Sequence, residues 1–212
     1  MRFYLRTFGC RANHYDTEAV RALIGAAGHT VVSSVAEADI AIFNSCAVTA
    51  EAEADLRQSV RRAARENREL RSVIMGCAAS IDRGAVSSLP AVSHTIPGAD
   101  LEALAAALAF PPTVSLNVVT RAQTSARAVL RIQDGCDEHC TFCVTTIARG
   151  SARSRSIEAL VDEATKLAEH HSEIVLTGIH IGSWGVDLGQ PLSALVEGLV
   201  RGVPNVRFRL SS

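Results

Sequence analysis

Ala128-Val129-Leu130-Arg131-Ile132-Gln133-Asp134-Gly135-Cys136-Asp137-Glu138-His139-Cys140-Thr141-Phe142-Cys143 runs an apolar, β-branched stretch straight into a loop with three cysteines spaced C-x3-C-x2-C. Residues 128–133 read as a strand, and Asp134-Gly135 is the turn signal that ends it. The three thiolates that follow lie within reach of one point. They can hold three irons of a four-iron cluster and leave the fourth open to a small chelating molecule. Zinc bound by the same thiolates and His139 is a competing reading, although adjacent His139 and Cys140 would have to bind one ion within a tight loop. A disulfide with an odd thiol is the third, and nothing suggests the oxidising compartment it needs.

Working downstream, residues 157–169 have helical periodicity with Ser156 as cap, and residues 173–178 read as a strand. A second helix over 191–201 and a third strand over 206–210 complete a βαβαβ series. This predicts the opening of a (β/α) barrel, in which functional groups gather at the carboxyl ends of strands. The cysteine loop falls on such an end. The chain stops at Ser211-Ser212, where an inner strand would be left as an edge with unpaired backbone, so the reading predicts a fragment of a longer protein.

Upstream, strands are expected at 2–8, 29–32, 38–44, 72–75 and about 91–95. Helices are expected at 13–28, from 50 to about 68 with Thr49 as cap, and at 100–109. Short connections between alternating strands and helices predict a doubly wound, mostly parallel sheet covered on both faces. Phe110-Pro111-Pro112 signals a linker, with residues 116–120 as an extended connector. The predicted division is an α/β domain over 1–110, a linker over 111–127 and the start of the barrel over 128–212. Cys10, Cys46 and Cys77 each sit just past the carboxyl end of a different predicted strand, the rim where open α/β sheets build ligand sites. A single buried cysteine is ordinarily a small hydrophobe. Three at equivalent positions predict a second metal-sulfur site.

Composition sets the outer bounds. With 212 residues and 48% hydrophobic side chains the chain can build a sizeable core, and its formal charge of −1 argues neither for nor against a nucleic-acid partner. There is no secretion signal at the N-terminus and no run of the ~20 apolar residues that a membrane span needs. The sequence therefore reads as cytoplasmic, without a membrane partner, and its six cysteines read as ligands or reactive thiols.

The C-x3-C-x2-C loop resembles the signature of radical S-adenosylmethionine enzymes. With both cysteine trios placed, the whole chain resembles the methylthiotransferases among them. The resemblance rests on Gly9-Cys10-Arg11-Ala12-Asn13, Asn44-Ser45-Cys46, Gly76-Cys77, Gln133-Asp134-Gly135-Cys136 and Ala148-Arg149-Gly150. Tyr15-Asp16-Thr17-Glu18, Arg153-Ser154-Arg155-Ser156 and residues 176–182 look most like the branch acting on threonylcarbamoyladenosine at position 37 of tRNA. The resemblance implies two 4Fe-4S clusters and S-adenosylmethionine as cofactors. Cys136, Cys140 and Cys143 would hold the cluster that cleaves S-adenosylmethionine, and Cys10, Cys46 and Cys77 an auxiliary cluster involved in sulfur delivery. Phe142 matches a position near the adenine of S-adenosylmethionine, with core packing as the alternative. Thr177 and Gly178 match the region that meets its methionine part, with a strand-ending turn as the alternative for Gly178.

Implied partners are the tRNA anticodon stem-loop, an electron donor such as a flavodoxin or ferredoxin, and a sulfur donor. Other branches act on isopentenyladenosine in tRNA or on a ribosomal-protein aspartate. A non-catalytic metal-binding α/β scaffold or inactive fragment is the reading from another class. The chain departs from the family where Thr146-Ile147 replaces the usual Pro-Tyr before Ala148-Arg149-Gly150. Arg149, Arg153 and Arg155 follow the cysteine loop closely and are expected to meet an anion, either RNA phosphate or a carboxylate. Arg57, Arg61, Arg65 and Arg68 form a helical stripe that reads as a solvated face.

Overall fold

The computed structural model describes residues 1–114 and 122–211, so the connector expected over 116–120 lies outside the described residues. The first half runs β1 (Arg2–Thr7), α1 (Arg11–Ala26), β2 (Thr30–Val32), β3 (Ile40–Ser45), α2 (Ala50–Glu66), β4 (Arg71–Gly76), α3 (Cys77–Ser80), β5 (Val92–Pro97) and α4 (Leu101–Ala107). Its five strands are parallel and ordered β2-β1-β3-β4-β5. The sheet is buried on both faces because successive side chains alternate between them. Ile40, Ile42, Val73 and Met75 pack with Val20, Leu23 and Ile24 of α1. Ala41, Phe43 and Ile74 pack on the other face with Leu56, Val60 and Ala63 of α2. All six residues of β3 are therefore buried.

Helix α2 begins as the sequence predicts, with the Thr49 hydroxyl accepting from the Ala52 amide at 3.2 Å. Helix α1 begins at Arg11, earlier than expected, and Asn13 does not cap it. The Asn13 side chain instead donates to the carbonyls of Phe8 at 3.0 Å and Ser45 at 2.8 Å, fastening the first turn of α1 to the ends of β1 and β3.

The second half runs β6 (Ala128–Arg131), β7 (Gln133–Asp134), α5 (Thr145–Arg149), β8 (Arg153–Ser154), α6 (Ile157–Ala168), β9 (Glu173–Thr177), α7 (Leu192–Gly202) and β10 (Arg207–Leu210). Three of these strands form a parallel sheet ordered β10-β9-β6. Leu130, Leu160, Leu167, Leu176, Trp184 and Leu195 belong to the core that α6 and α7 close over it. The single strand expected over 128–133 breaks at Ile132, whose amide donates to Thr177 of β9 while its carbonyl accepts from Arg155. Beyond this pivot β7 turns away and pairs antiparallel with β8. Outside β6, the Gln123 side chain accepts from the Val129 amide at 2.8 Å and donates to the Val129 carbonyl at 2.7 Å, imitating one rung of a ladder on an open edge. The Gln123 amide donates to Nε2 of His171, a partner that the sequence did not disclose. Among the described residues no helix is long and apolar enough to cross a membrane.

Candidate metal centre

In a sheet ordered β2-β1-β3-β4-β5 the chain leaves β1 and β3 in opposite directions, opening a crevice at their carboxyl ends. Cys10 follows β1, Cys46 follows β3 and Cys77 follows β4, so two thiols flank the switch point and the third is one strand away. Two glycines make the approach possible. Gly9 has φ +93°, and a Cβ there would stand 2.5 Å from Cβ and 2.8 Å from Sγ of Cys46. Gly76 has φ +94°, and its Cβ would stand 2.5 Å from both Oδ1 of Asn44 and the Ser45 carbonyl oxygen. Cys46 and Cys77 are buried and Cys10 is exposed. Burial pushes the Cys77 thiol up against the opposing pull of Arg149, and Cys46 and Cys10 add to the rise.

The donors are all soft thiols, the set that suits iron-sulfur clusters as well as zinc. Among the described residues no group of three His, Cys, Asp or Glu side chains could hold a metal ion as placed. A cluster with several metals takes thiolates spread around its corners rather than gathered on a single point.

The second trio lies on an open loop. Cys140 is exposed, while Cys136 and Cys143 are half-buried. The loop's base is fixed by backbone: the Cys136 amide donates to the Gly150 carbonyl at 3.0 Å. Gly135 has φ +72°, and a Cβ on it would sit 1.9 Å from the Ser151 carbonyl oxygen. Gln133 is fully buried and ties this base to the end of β9. Its amide nitrogen donates to the Gly135 carbonyl at 2.7 Å, and its amide oxygen accepts from Ile179 at 3.1 Å and His180 at 2.9 Å. Gly178 packs against Gln133, its virtual Cβ 3.0 Å from the Gln133 carbonyl, so close approach rather than a left-handed turn accounts for this glycine. Thr177 is buried at the end of β9. Phe142 is 88% exposed, which removes core packing as its role. Hydrogen bonding with the Thr145 hydroxyl and backbone pulls the Cys143 thiol down.

Between the trios lies a buried ion network. The Arg149 side chain, 2% exposed, donates to Oδ1 of Asn13 at 2.7 Å, Oδ2 of Asp16 at 2.9 Å and Oδ1 of Asp134 at 3.0 Å, and its Nε lies 3.4 Å from the Cys77 sulfur. Arg131 pairs with Asp16 and, at 3.2 Å, with Asp134. Burial raises the Asp134 carboxyl, but the Arg131 and Arg149 guanidiniums more than reverse this and hold it below its ordinary value. Nearby, Tyr15 meets Glu163 at 3.2 Å and Arg155 at 3.1 Å. Burial and the Glu163 charge push the Tyr15 hydroxyl up to about 12.

The arginines expected to meet an anion therefore separate. Arg149 and Arg155 are drawn into internal ion pairs, and Arg153 keeps a 61% exposed side chain. A cavity of about 570 Å³ opens at this junction, with Arg131, Asp134, Arg149 and Arg153 in its wall. The Arg57 stripe is solvated as expected: Arg57 pairs with Glu53 at 3.3 Å, while Arg61, Arg65 and Arg68 are exposed.

Asn13, Asp16, Gln133, Asp134 and Glu163 were not anticipated as site residues. For two of them the signal was present. Positions 13, 16, 17, 20, 23 and 24 share one face of α1, yet 13, 16 and 17 are polar where 20, 23 and 24 are apolar. Polar side chains on a stripe that leads into the core mark a buried polar contact.

Residues 2–98 match the family described as "Uncharacterized protein family UPF0004". The threonylcarbamoyladenosine tRNA methylthiotransferase MtaB of Bacillus subtilis is 32% identical over 223 aligned residues, covering 95% of this chain and 49% of that protein. The tRNA-2-methylthio-N(6)-dimethylallyladenosine synthase of Thermodesulfovibrio yellowstonii is 27% identical, covering 97% and 52%. The ribosomal protein uS12 methylthiotransferase RimO of Roseiflexus castenholzii is 30% identical, covering 99% and 53%. The chain thus spans about half the length of these curated relatives.

Proposed function

We infer that this chain belongs to the methylthiotransferase family, and on that premise we propose that it carries both metal-thiolate sites of an enzyme that adds a methylthio group to carbon 2 of threonylcarbamoyladenosine at position 37 of tRNA. In this reading Cys136, Cys140 and Cys143 hold a 4Fe-4S cluster with one iron open to S-adenosylmethionine, and Cys10, Cys46 and Cys77 hold an auxiliary 4Fe-4S cluster. When bound, the clusters would supply the electron for reductive cleavage of S-adenosylmethionine and the sulfur for insertion, and a second S-adenosylmethionine would supply the methyl group. The observation that carries the reading is the placement of three Cys-bearing strand ends on one rim of the sheet, two flanking the switch point and the third one strand away, with Arg149, six residues beyond Cys143, reaching the Cys77 sulfur.

The chain's own residues supply the frame. Gly135 and Gln133 fix the base of the cysteine loop against β9, where Thr177 and Gly178 end the strand beside it. Phe142, exposed beside Cys143, is free to stack on a flat ring such as the adenine of S-adenosylmethionine. Asp134 and Asp16 neutralise the two buried arginines, so the junction closes without an uncompensated charge. Of the three arginines Arg153 has the most exposed side chain, which supports it as the one to meet an RNA phosphate.

The choice of tRNA nucleoside rests on Tyr15-Asp16-Thr17-Glu18 and Arg153-Ser154-Arg155-Ser156, and on the relatives named as threonylcarbamoyladenosine enzymes. The test is an anaerobic incubation of the reconstituted chain with S-adenosylmethionine, a reductant and a low-potential electron carrier. Three substrates are offered in parallel: tRNA bearing threonylcarbamoyladenosine, tRNA bearing isopentenyladenosine, and ribosomal protein uS12. The proposal expects the mass of a methylthio group on the first. Methylthiolation of either of the others alone would reassign the substrate, and S-adenosylmethionine left uncleaved in every arm would favour the non-catalytic scaffold.

A further inference from the structure

Arg149 belongs to the second half of the chain, yet its guanidinium is spent on the first. It closes α5, the short helix that begins two residues after Cys143, and reaches across the junction to the rim that carries Cys10, Cys46 and Cys77. Its five N–H donors are divided with a definite purpose. Three of the four on the terminal nitrogens go to Asp134, Asp16 and Asn13, all held by other bonds. Asp134 is braced by Arg131, and Asn13 by the Phe8 and Ser45 carbonyls. The Nε–H points at the sulfur of Cys77, 3.4 Å away, in a buried setting where a charge-assisted bond is strong. The same Asn13 oxygen that accepts from Arg149 also lies 3.5 Å from the sulfur of Cys10. One cation thus touches one thiol of the rim directly and a second through a single side chain.

An ion-pair network for its own sake would not require this. Asp16 and Asp134 already offer Arg149 two carboxylates on its terminal nitrogens, and the Nε–H is not needed to engage either. Hydrogen bonds to cluster sulfurs and nearby charge are the levers by which a protein sets the potential of an iron-sulfur cluster.

We propose that Arg149 is a positioning residue for the auxiliary site, donating a charge-assisted N–H···S bond to Cys77 that raises the reduction potential of a cluster held by Cys10, Cys46 and Cys77, and that ties this potential to the segment carrying the other cysteine loop. The inference rests on the auxiliary-cluster reading of those three cysteines. A negative charge added to the cluster on reduction is favoured by the guanidinium and by the donor on its ligand sulfur, so loss of the donor makes reduction harder. Arg149→Lys keeps a cation for Asp16 and Asp134 but has no N–H at the position of Nε. Arg149→Ala removes both cation and donor.

The experiment uses the full chain with Cys136→Ala, Cys140→Ala and Cys143→Ala together, so that only the auxiliary site can load. Arg149 is compared with Arg149→Lys and Arg149→Ala in that background. After anaerobic reconstitution, iron and sulfide are counted, and the midpoint potential is followed by electron paramagnetic resonance. The expected result is about four irons in the parent and an unchanged count in Arg149→Lys. The reduction equilibrium of Arg149→Lys should be about tenfold less favourable, about 59 mV more negative for one electron, with Arg149→Ala further in the same direction if it folds. A loaded Arg149→Lys cluster at the parental potential overturns the role of Arg149 while leaving the auxiliary site intact. A parent that takes up no iron overturns the auxiliary site itself, and the inference with it.

Discussion

The loop that begins at Cys136 is held by residues with no metal chemistry of their own. Gln133 uses its amide oxygen and nitrogen at once, and an unpaired buried amide group would cost about 1–3 kcal/mol. Gly135 is constrained more severely, because its φ of +72° and the Ser151 carbonyl both exclude a side chain. Gly135→Ala must therefore push the loop base away from residues 150–151 and spread the three thiols. The expected outcome is selective: iron bound through Cys136, Cys140 and Cys143 is lost, iron on the other trio is kept, and far-ultraviolet circular dichroism is unchanged. Full iron content in Gly135→Ala would show that the loop tolerates the displacement. Gly135 was legible as a turn glycine beside the first cysteine, and the role of Gln133 was not. A glutamine at the end of a strand gives no sign that its side chain will turn inward and bridge to residues 179 and 180.

At the scale of elements, the first helix carries the chemistry of contact between the two halves. Tyr15 and Asp16 of α1 face Arg155, Glu163, Arg131 and Arg149, all from the second half. Tyr15 is buried against the Glu163 carboxylate, which favours the neutral phenol in the folded state and takes its value to about 12 from the ordinary ~10. A group whose folded value is raised contributes stability that is complete below its unfolded value and is lost as pH rises through the folded one. The unfolding free energy from denaturant titrations should fall between about pH 10 and about pH 12, by no more than about 2–3 kcal/mol from this group, and Tyr15→Phe should flatten that fall. An identical alkaline slope in Tyr15→Phe would place the titration elsewhere. Asp134 works in the opposite sense: its folded value is depressed, so its contribution is present above about pH 4 and fades as pH falls further. The strands and helices around these residues were legible because each follows a simple period, and α6 also carries its expected Ser156 cap. The break in the strand at Ile132 was not, because it is set by tertiary hydrogen bonds to Thr177 and Arg155 rather than by local pattern, nor was the short helix α5, which has no side-chain cap to announce it.

Across the whole molecule, two small parallel sheets are joined by a junction of buried charges, beside which Ala148 and Val144 of the second half pack on the core of the first. Asp16 sits between two guanidiniums, and breaking a buried pair of this kind typically costs about 3–5 kcal/mol because a lone charge is left behind. That cost gives the junction one arrangement, and the arrangement brings α5, which follows the loop of one trio, against the rim of the other. The six cysteines and the doubly wound sheet were legible from spacing and from the position of each thiol past a strand end. That Arg149 spans the two sites was not, since 72 residues separate it from Cys77 and only the packed fold brings them together. The central claim is that this one chain holds two separate cysteine-ligated clusters. Its most direct test is anaerobic iron and sulfide content after reconstitution, on the parent chain, on the Cys136→Ala, Cys140→Ala, Cys143→Ala variant and on the Cys10→Ala, Cys46→Ala, Cys77→Ala variant. Two 4Fe-4S clusters predict about eight irons and eight sulfides in the parent and about four of each in either variant. Stoichiometric zinc with negligible iron in all three would contradict it.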